Sequence, residues 1–173
     1  DELFRISTIH NFLWDSVKRF THDIREALKS SIIPEQIAKK QKDDNGGQSK
    51  KAIAAREKIS ALQSDLLSLN EVKEFQYNDS TFSDYSKGLI GHDDVVKVSS
   101  YLILNSVNLR KILSQKYPYI LVDEAQDTFP TVVEALNSIS NNSSALVGYF
   151  GDPMQQIYDK RAGDFAESEG LLQ

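Results

Sequence analysis

The chain has 173 residues, enough for one domain or for a core with a smaller inserted lobe. With 40% hydrophobic and 26% charged residues, and no apolar run near the roughly 20 residues a bilayer span needs, it reads as a globular, soluble chain. A net charge of −5 argues against a nucleic-acid footprint over the whole surface but not against a local patch, and the lack of cysteine excludes disulfides and thiolate metal sites.

The N-terminus, "DELFRISTIHNF", begins acidic, lacks a signal-peptide pattern and resembles the middle of a domain; a cytoplasmic location is expected. "LFRISTIH" (3–10) alternates apolar and polar residues and suits a strand ending near His10. Leu13, Val17, Phe20, Ile24 and Leu28 then recur at helical spacing, predicting an amphipathic helix over 11–30. Pro34 is placed to open another short helix. "KKQKDDNGGQSKK" (39–51) has no periodicity and reads as a surface loop. Ile59, Leu62, Leu66, Leu69 and Val72 form the stripe of a long helix. "EFQYNDSTFSDYSKGLIGHDD" (74–94) fits a β-hairpin or an irregular loop equally well. Val95, Val98, Leu102, Leu109 and Ile112 mark a further helix, ended by Tyr117-Pro118. A strand buried on both faces follows at 119–123, then a helix through Val132, Val133, Leu136 and Ile139, a turn at "NSISNNSS" and a buried strand at "ALVGYF".

A strand-helix-strand unit implies a parallel pair with a right-handed crossover, whose ligands sit at the carboxyl ends of the strands. Asp123-Glu124 and Gly151-Asp152 both fall at that edge. A buried strand that ends in two carboxylates needs a charged or wet neighbour. One carboxylate can hold Mg²⁺, a hard ion that keeps several waters, and its neighbour can orient and deprotonate a water attacking a phosphate.

"ILVDEAQDT" followed by "LVGYFGDPMQQIY" resembles motifs II and III of UvrD/Rep-type superfamily I helicases, and "STIHNF" resembles the Thr-x-His-x-Phe element that precedes them. The three motifs cover a small part of the chain; the helical middle matches by position and character. The resemblance implies a partial RecA-like α/β motor domain of the P-loop NTPase type, made of 1–19 and 116–173, with a mainly helical inserted lobe, 1B, over 20–115. It implies that Asp123 coordinates the Mg²⁺ of MgATP and that Glu124 activates the hydrolytic water. Gln126 and Asp127 would link that site to the rest of the motor, and Asp152 joins them among the nucleotide-binding residues. Gln155 would sense the γ-phosphate, and Tyr158 would lie on the single-strand path, with Thr8, His10 and Phe12 near the DNA. ATP and Mg²⁺ are the implied cofactors. Single-stranded and duplex DNA (RNA remaining open) and the remaining helicase domains are the implied partners.

Two departures stand against the family pattern. Lys160 occupies a position where the family often carries a base-stacking aromatic, worth roughly 1–3 kcal/mol per base, so phosphate contact is expected there instead. The chain also has no G-x-x-x-x-G-K-[ST] loop to cradle phosphates, and the later motifs of the family are missing. A fragment of a longer ATP-dependent DNA helicase, inactive by itself, is the expected account. The rival is a non-catalytic nucleic-acid or partner-binding module that kept the fold.

Other features have plainer readings. His10 taken alone reads as a packed or surface histidine more readily than as a DNA contact, and only its motif context makes the two readings equal. "GHDD" (91–94) reads as a helix N-cap rather than a metal cluster. Trp14 reads as core, Tyr77, Phe82 and Tyr85 as packing residues, and the lysines of 39–51 as a solvated loop.

Overall fold

The computed structural model describes residues 4–44, 46–141 and 143–152, in two compact units that divide between Leu102 and Ile103. Together they are mixed α/β, mainly helical with two small parallel sheets.

In the first unit "LFRISTIH" makes no strand. Alternation alone does not satisfy backbone amides, and no described segment pairs with residues 4–8, where Phe4 and Ile6 stand exposed. Thr8 instead accepts the Asn11 amide at 3.3 Å and caps α1 (Ile9–Val17), which buries Leu13, Trp14 and Val17.

The single helix expected over 11–30 is interrupted after α1. The chain turns and restarts as α2 (Thr21–Ala27), then runs through a π-helical stretch, Leu28–Ile32, into α3 (Ile33–Asp43). Pro34 lies in the first turn of α3, as predicted. Proline offers no amide hydrogen and crowds the carbonyl four residues earlier; the wider turn before it, where Ile33 bonds back to Leu28, relieves both problems.

The long helix is α4 (Lys50–Ser68), which packs on α3 and buries Ala52, Ala55 and Leu62. Of the predicted stripe, Ile59 and Leu66 are half-buried, and Leu69 and Val72, both buried, lie beyond the helix end. Arg25 closes its end by donating to the Leu69 carbonyl at 3.0 Å and the Val72 carbonyl at 2.5 Å. The predicted loop shrinks, because helix extends into both of its ends. What remains is held to α4: Arg56 bonds the Asp44 carboxylate and the Gly47 carbonyl, each at 3.0 Å.

Residues 74–94 form the irregular alternative. β1 (Gln76–Tyr77) and β2 (Leu89–Ile90) pair in parallel, with a 3-10 turn at Tyr85–Lys87 between them. Gly88 has φ +73, and a Cβ there would meet the Glu74 carbonyl oxygen at 2.3 Å. Tyr85 is buried and Tyr77 half-buried, but Phe82 is exposed and does not pack as expected.

The helix predicted through Val95 and Ile112 is two helices, α5 (His92–Asn105) and α6 (Val107–Lys116). Ser106 is extended and caps α6 through the Leu109 amide, while Arg110 donates to the Ile103 and Leu104 carbonyls at 2.8 and 2.6 Å. Those bonds satisfy both helix ends at the break. Ile112 is half exposed rather than part of the buried stripe.

In the second unit β3 (Tyr119–Val122) pairs in parallel with β4 (Leu146–Tyr149), Tyr119 opposite Leu146 and Val122 opposite Tyr149. Between them runs α7 (Pro130–Ser140), which buries Val132, Leu136 and Ile139 and packs on α6 and β4. The expectation of strands buried on both faces is corrected here. Ile120 and Val122 are buried, but Tyr119 and Leu121 are 70% and 67% exposed and Leu146 is 60% exposed. The helices of this unit cover one face of the pair, so alternate side chains emerge on the other. Among the described residues no helix is long and apolar enough to cross a membrane.

Candidate functional site

The parallel pairing of β3 and β4 continues past their ends. Phe150 donates to the Val122 carbonyl at 2.8 Å, and Ala125 donates to the Phe150 carbonyl at 2.9 Å. These two bonds bring Asp123-Glu124 and Gly151-Asp152 to one edge, as the strand-helix-strand reading expects.

Glu124 has φ 49 and ψ 43, a left-handed conformation rare for a residue with a side chain. It turns the chain sharply out of the strand into the 3-10 turn Ala125–Asp127, whose last amide bonds back to the Glu124 carbonyl at 3.0 Å. Its own amide donates to Asp123 Oδ1 at 3.0 Å, so the two acids share one tight corner, both exposed. Gln126 is 1% exposed, and its Nε2 donates to Glu124 Oε2 at 2.6 Å. The other atom of that amide, Oε1, is buried without a hydrogen-bond donor. Gly151 closes the corner: a Cβ there would lie 2.1 Å from Gln126 Oε1 and 3.0 Å from the Ala125 amide. Asp127 is half-buried and Asp152 exposed.

Among the described residues no group of three His, Cys, Asp or Glu side chains could hold a metal ion. Mg²⁺ does not require one, since it is commonly held by one or two carboxylates plus waters and substrate phosphates. The exposed Asp123 carboxylate, tethered through one oxygen only, fits that donor set.

The second group of expected residues lies in the first unit. Thr8 caps α1, and His10, in the first turn, stacks on His92 with ring centroids 3.4 Å apart. His92 Nδ1 lies 2.6 Å from the Tyr77 hydroxyl, which also donates to Asp79 at 3.0 Å. Burial and the neighbouring Asp79 carboxylate push the Tyr77 phenol up to about 12. Phe12 is half-buried, and Trp14 is core as expected. His92 was missed as a partner of His10 because nothing local in "GHDD" points back to α1. Asp94 of the same stretch lies at a helix start, as predicted, but its carboxylate serves Tyr85, Ser83, Gln36 and Lys97. Gln155, Tyr158 and Lys160 lie outside the described residues.

A family model described as the UvrD/REP helicase N-terminal domain matches residues 2–169. The chain is 35% identical over 78 residues to RecBCD enzyme subunit RecB of Buchnera aphidicola subsp. Schizaphis graminum, covering 45% of this chain and 7% of that protein. It is 32% identical over 105 residues to Gabija protein GajB of Bacillus cereus, covering 56% of this chain and 15% of that protein. Against ATP-dependent DNA helicase Rep of Buchnera aphidicola subsp. Acyrthosiphon pisum, identity is 28% over 109 residues, 61% of this chain and 17% of the other. The matches thus span less than a fifth of the length of each of these relatives. No solved structure gives a significant match.

Proposed function

This chain belongs to the UvrD/REP helicase N-terminal domain family, and from that premise we propose that it carries the water-activating half of the ATPase site of a DNA helicase or translocase. The observation that carries the reading is the strand-end corner where Gln126, buried and closed in by Gly151, grips one oxygen of Glu124. That grip leaves the second carboxylate oxygen of Glu124 free to accept a proton from water. Asp123 would hold Mg²⁺, which when bound with ATP neutralises phosphate charge. The orphaned Oε1 of Gln126 asks for a donor, and a bound water would supply one. Asp127 and Asp152 flank this corner and complete the nucleotide side of the site, with Gln155 as the γ-phosphate sensor. The left-handed backbone of Glu124 costs about 1–3 kcal/mol, a strain of the kind that gathers at functional sites.

In this reading residues 1–19 and 116–173 belong to a RecA-like motor domain of the P-loop NTPase type, and 20–115 to its inserted lobe. The similarity to Rep, an ATP-dependent DNA helicase, supports DNA as the track. Thr8, His10, Phe12, Tyr158 and Lys160 would contact it.

The test is Glu124→Gln in the complete protein. The amide keeps the shape of the carboxylate but cannot take the water's proton. MgATP affinity should stay within twofold while turnover falls by about 10²–10⁴-fold, the usual contribution of a general base. Turnover surviving the change would sink the assignment of Glu124, whereas a complete protein that binds nucleic acid but hydrolyses no ATP would favour the binding-module reading.

A further inference from the structure

An open cleft of about 770 Å³ lies in the first unit beside the end of α1. Three cations line it: Lys18 and Arg19 just beyond α1, and Lys73 from the segment after α4. Among the described residues that line it, Glu74 is the only acid, in a chain whose overall charge is −5. Lys18 is partly neutralised by Asp15, 2.6 Å away. Arg19 and Lys73 are exposed, and neither forms an ion pair among the described residues. Favourable interaction with a helix C-terminus would account for Lys18 and Arg19. It does not account for Lys73, which reaches the same cleft from a different segment.

Aromatic rings complete the wall. Trp14 contributes the small part of its surface that is not core, and the half-buried Tyr77 stands 6.5 Å from it, ring centre to ring centre. Cations that track a backbone, interleaved with aromatic faces, are the usual means of holding a single nucleic-acid strand without regard to sequence. The volume lies within the range of about 300–1,000 Å³ typical of small-ligand sites, room for a short stretch of one strand. The cleft is also connected to the Thr8–Phe12 element. Tyr77 holds His92 through its hydroxyl, and His92 stacks on His10.

We propose that this cleft binds the sugar-phosphate backbone of a single nucleic-acid strand, with Arg19 and Lys73 on phosphates and the Tyr77 ring against a base or sugar. The inference rests on the nucleic-acid-motor reading above and adds a binding surface beyond the residues that reading uses.

The experiment uses the complete protein, without nucleotide, and a fluorescent oligo(dT) followed by anisotropy over a salt series. Arg19→Glu with Lys73→Glu should lower affinity at least tenfold. Losing two phosphate contacts on a single strand should also flatten the slope of log K against log salt by about 1.4. Lys58→Glu with Lys111→Glu changes net charge equally outside the cleft and should leave affinity within twofold. Equal losses in the two pairs would reduce the effect to overall charge and overturn the proposal. Wild-type affinity in the cleft pair, with loss in His10→Ala, would also overturn it while leaving the motor reading intact. If His10→Ala and the cleft pair both bind like wild type, the nucleic-acid reading itself falls. Loss confined to duplex probes would refute the single-strand assignment. Should the glutamate pair fail to fold by circular dichroism, Arg19→Gln with Lys73→Gln is the substitute, with the same expected direction.

Discussion

Gly151 owes its identity to a neighbour in space. Alanine there would drive a methyl group into Gln126 Oε1 and against the Ala125 amide, both fixed in a buried corner. The Gln126 side chain would have to swing away, and its 2.6 Å bond to Glu124 would go with it. A catalytic group misplaced by about 1 Å loses on the order of 100-fold in rate. Gly151→Ala in the complete protein should therefore cut ATP turnover by about that factor, while the thermal midpoint moves little. Steady-state kinetics beside a melting curve checks this; unchanged turnover would mean that Gln126 does not position Glu124. The sequence signals the pair of acids openly, because two carboxylates after an aliphatic run are a local pattern. It could not signal the positive φ of Glu124 or the grip of Gln126, which depend on where β4 ends.

At the scale of elements, Asp94 joins three parts of the first unit. Its carboxylate accepts from Tyr85 and Ser83 at 2.6 Å each, from Gln36 of α3 at 3.0 Å and from Lys97 of its own helix at 2.8 Å. Burial alone would raise its pKa, but the bonds from Lys97, Ser83 and Tyr85 outweigh it and hold the group below the ordinary carboxylate range. A depressed folded-state pKa contributes stability above the unfolded value, near 4 for aspartate, and that contribution is lost as pH falls through the folded value. Asp94→Asn should cost on the order of 1–3 kcal/mol at pH 7, a typical penalty for unsatisfied buried polar groups. The gap to wild type should narrow below about pH 4. Urea denaturation across pH is the measurement, and a gap that widens in acid would contradict the bonding scheme. Helix period led to this region but misjudged its joints. Ser106 breaks α5 from α6 because its hydroxyl and the Arg110 guanidinium satisfy both helix ends, a competition that an apolar stripe does not register.

For the whole molecule, the proposed function would divide its chemistry between the two compact units. Residues 103–152 hold the acidic corner, and residues 4–102 hold the Thr8–Phe12 element and the cationic cleft. Nothing in the 173 residues supplies a Gly-rich phosphate loop. These residues alone should therefore show no ATP hydrolysis above background in a phosphate-release assay, even with single-stranded DNA present. Turnover by the purified chain that Glu124→Gln abolishes would refute this.

What the sequence determined by itself were the features encoded within a few neighbouring residues. The aliphatic run before Asp123-Glu124, the stripe of α4, the apolar face of α7 and the parallel strand-helix-strand unit all came from short-range periodicity, which the backbone geometry of helices and strands imposes. Tertiary structure decided whatever depends on a distant partner. "LFRISTIH" alternates like a strand, yet no described neighbour completes its hydrogen bonds, so Thr8 starts a helix instead. Tyr119 and Leu121 read as buried, yet helices cover one face of their sheet only. His10 met His92, and Gly151 met Gln126, only once the chain had folded. Local pattern sets which face of an element is apolar; whether that face finds a partner depends on chain segments far away in sequence.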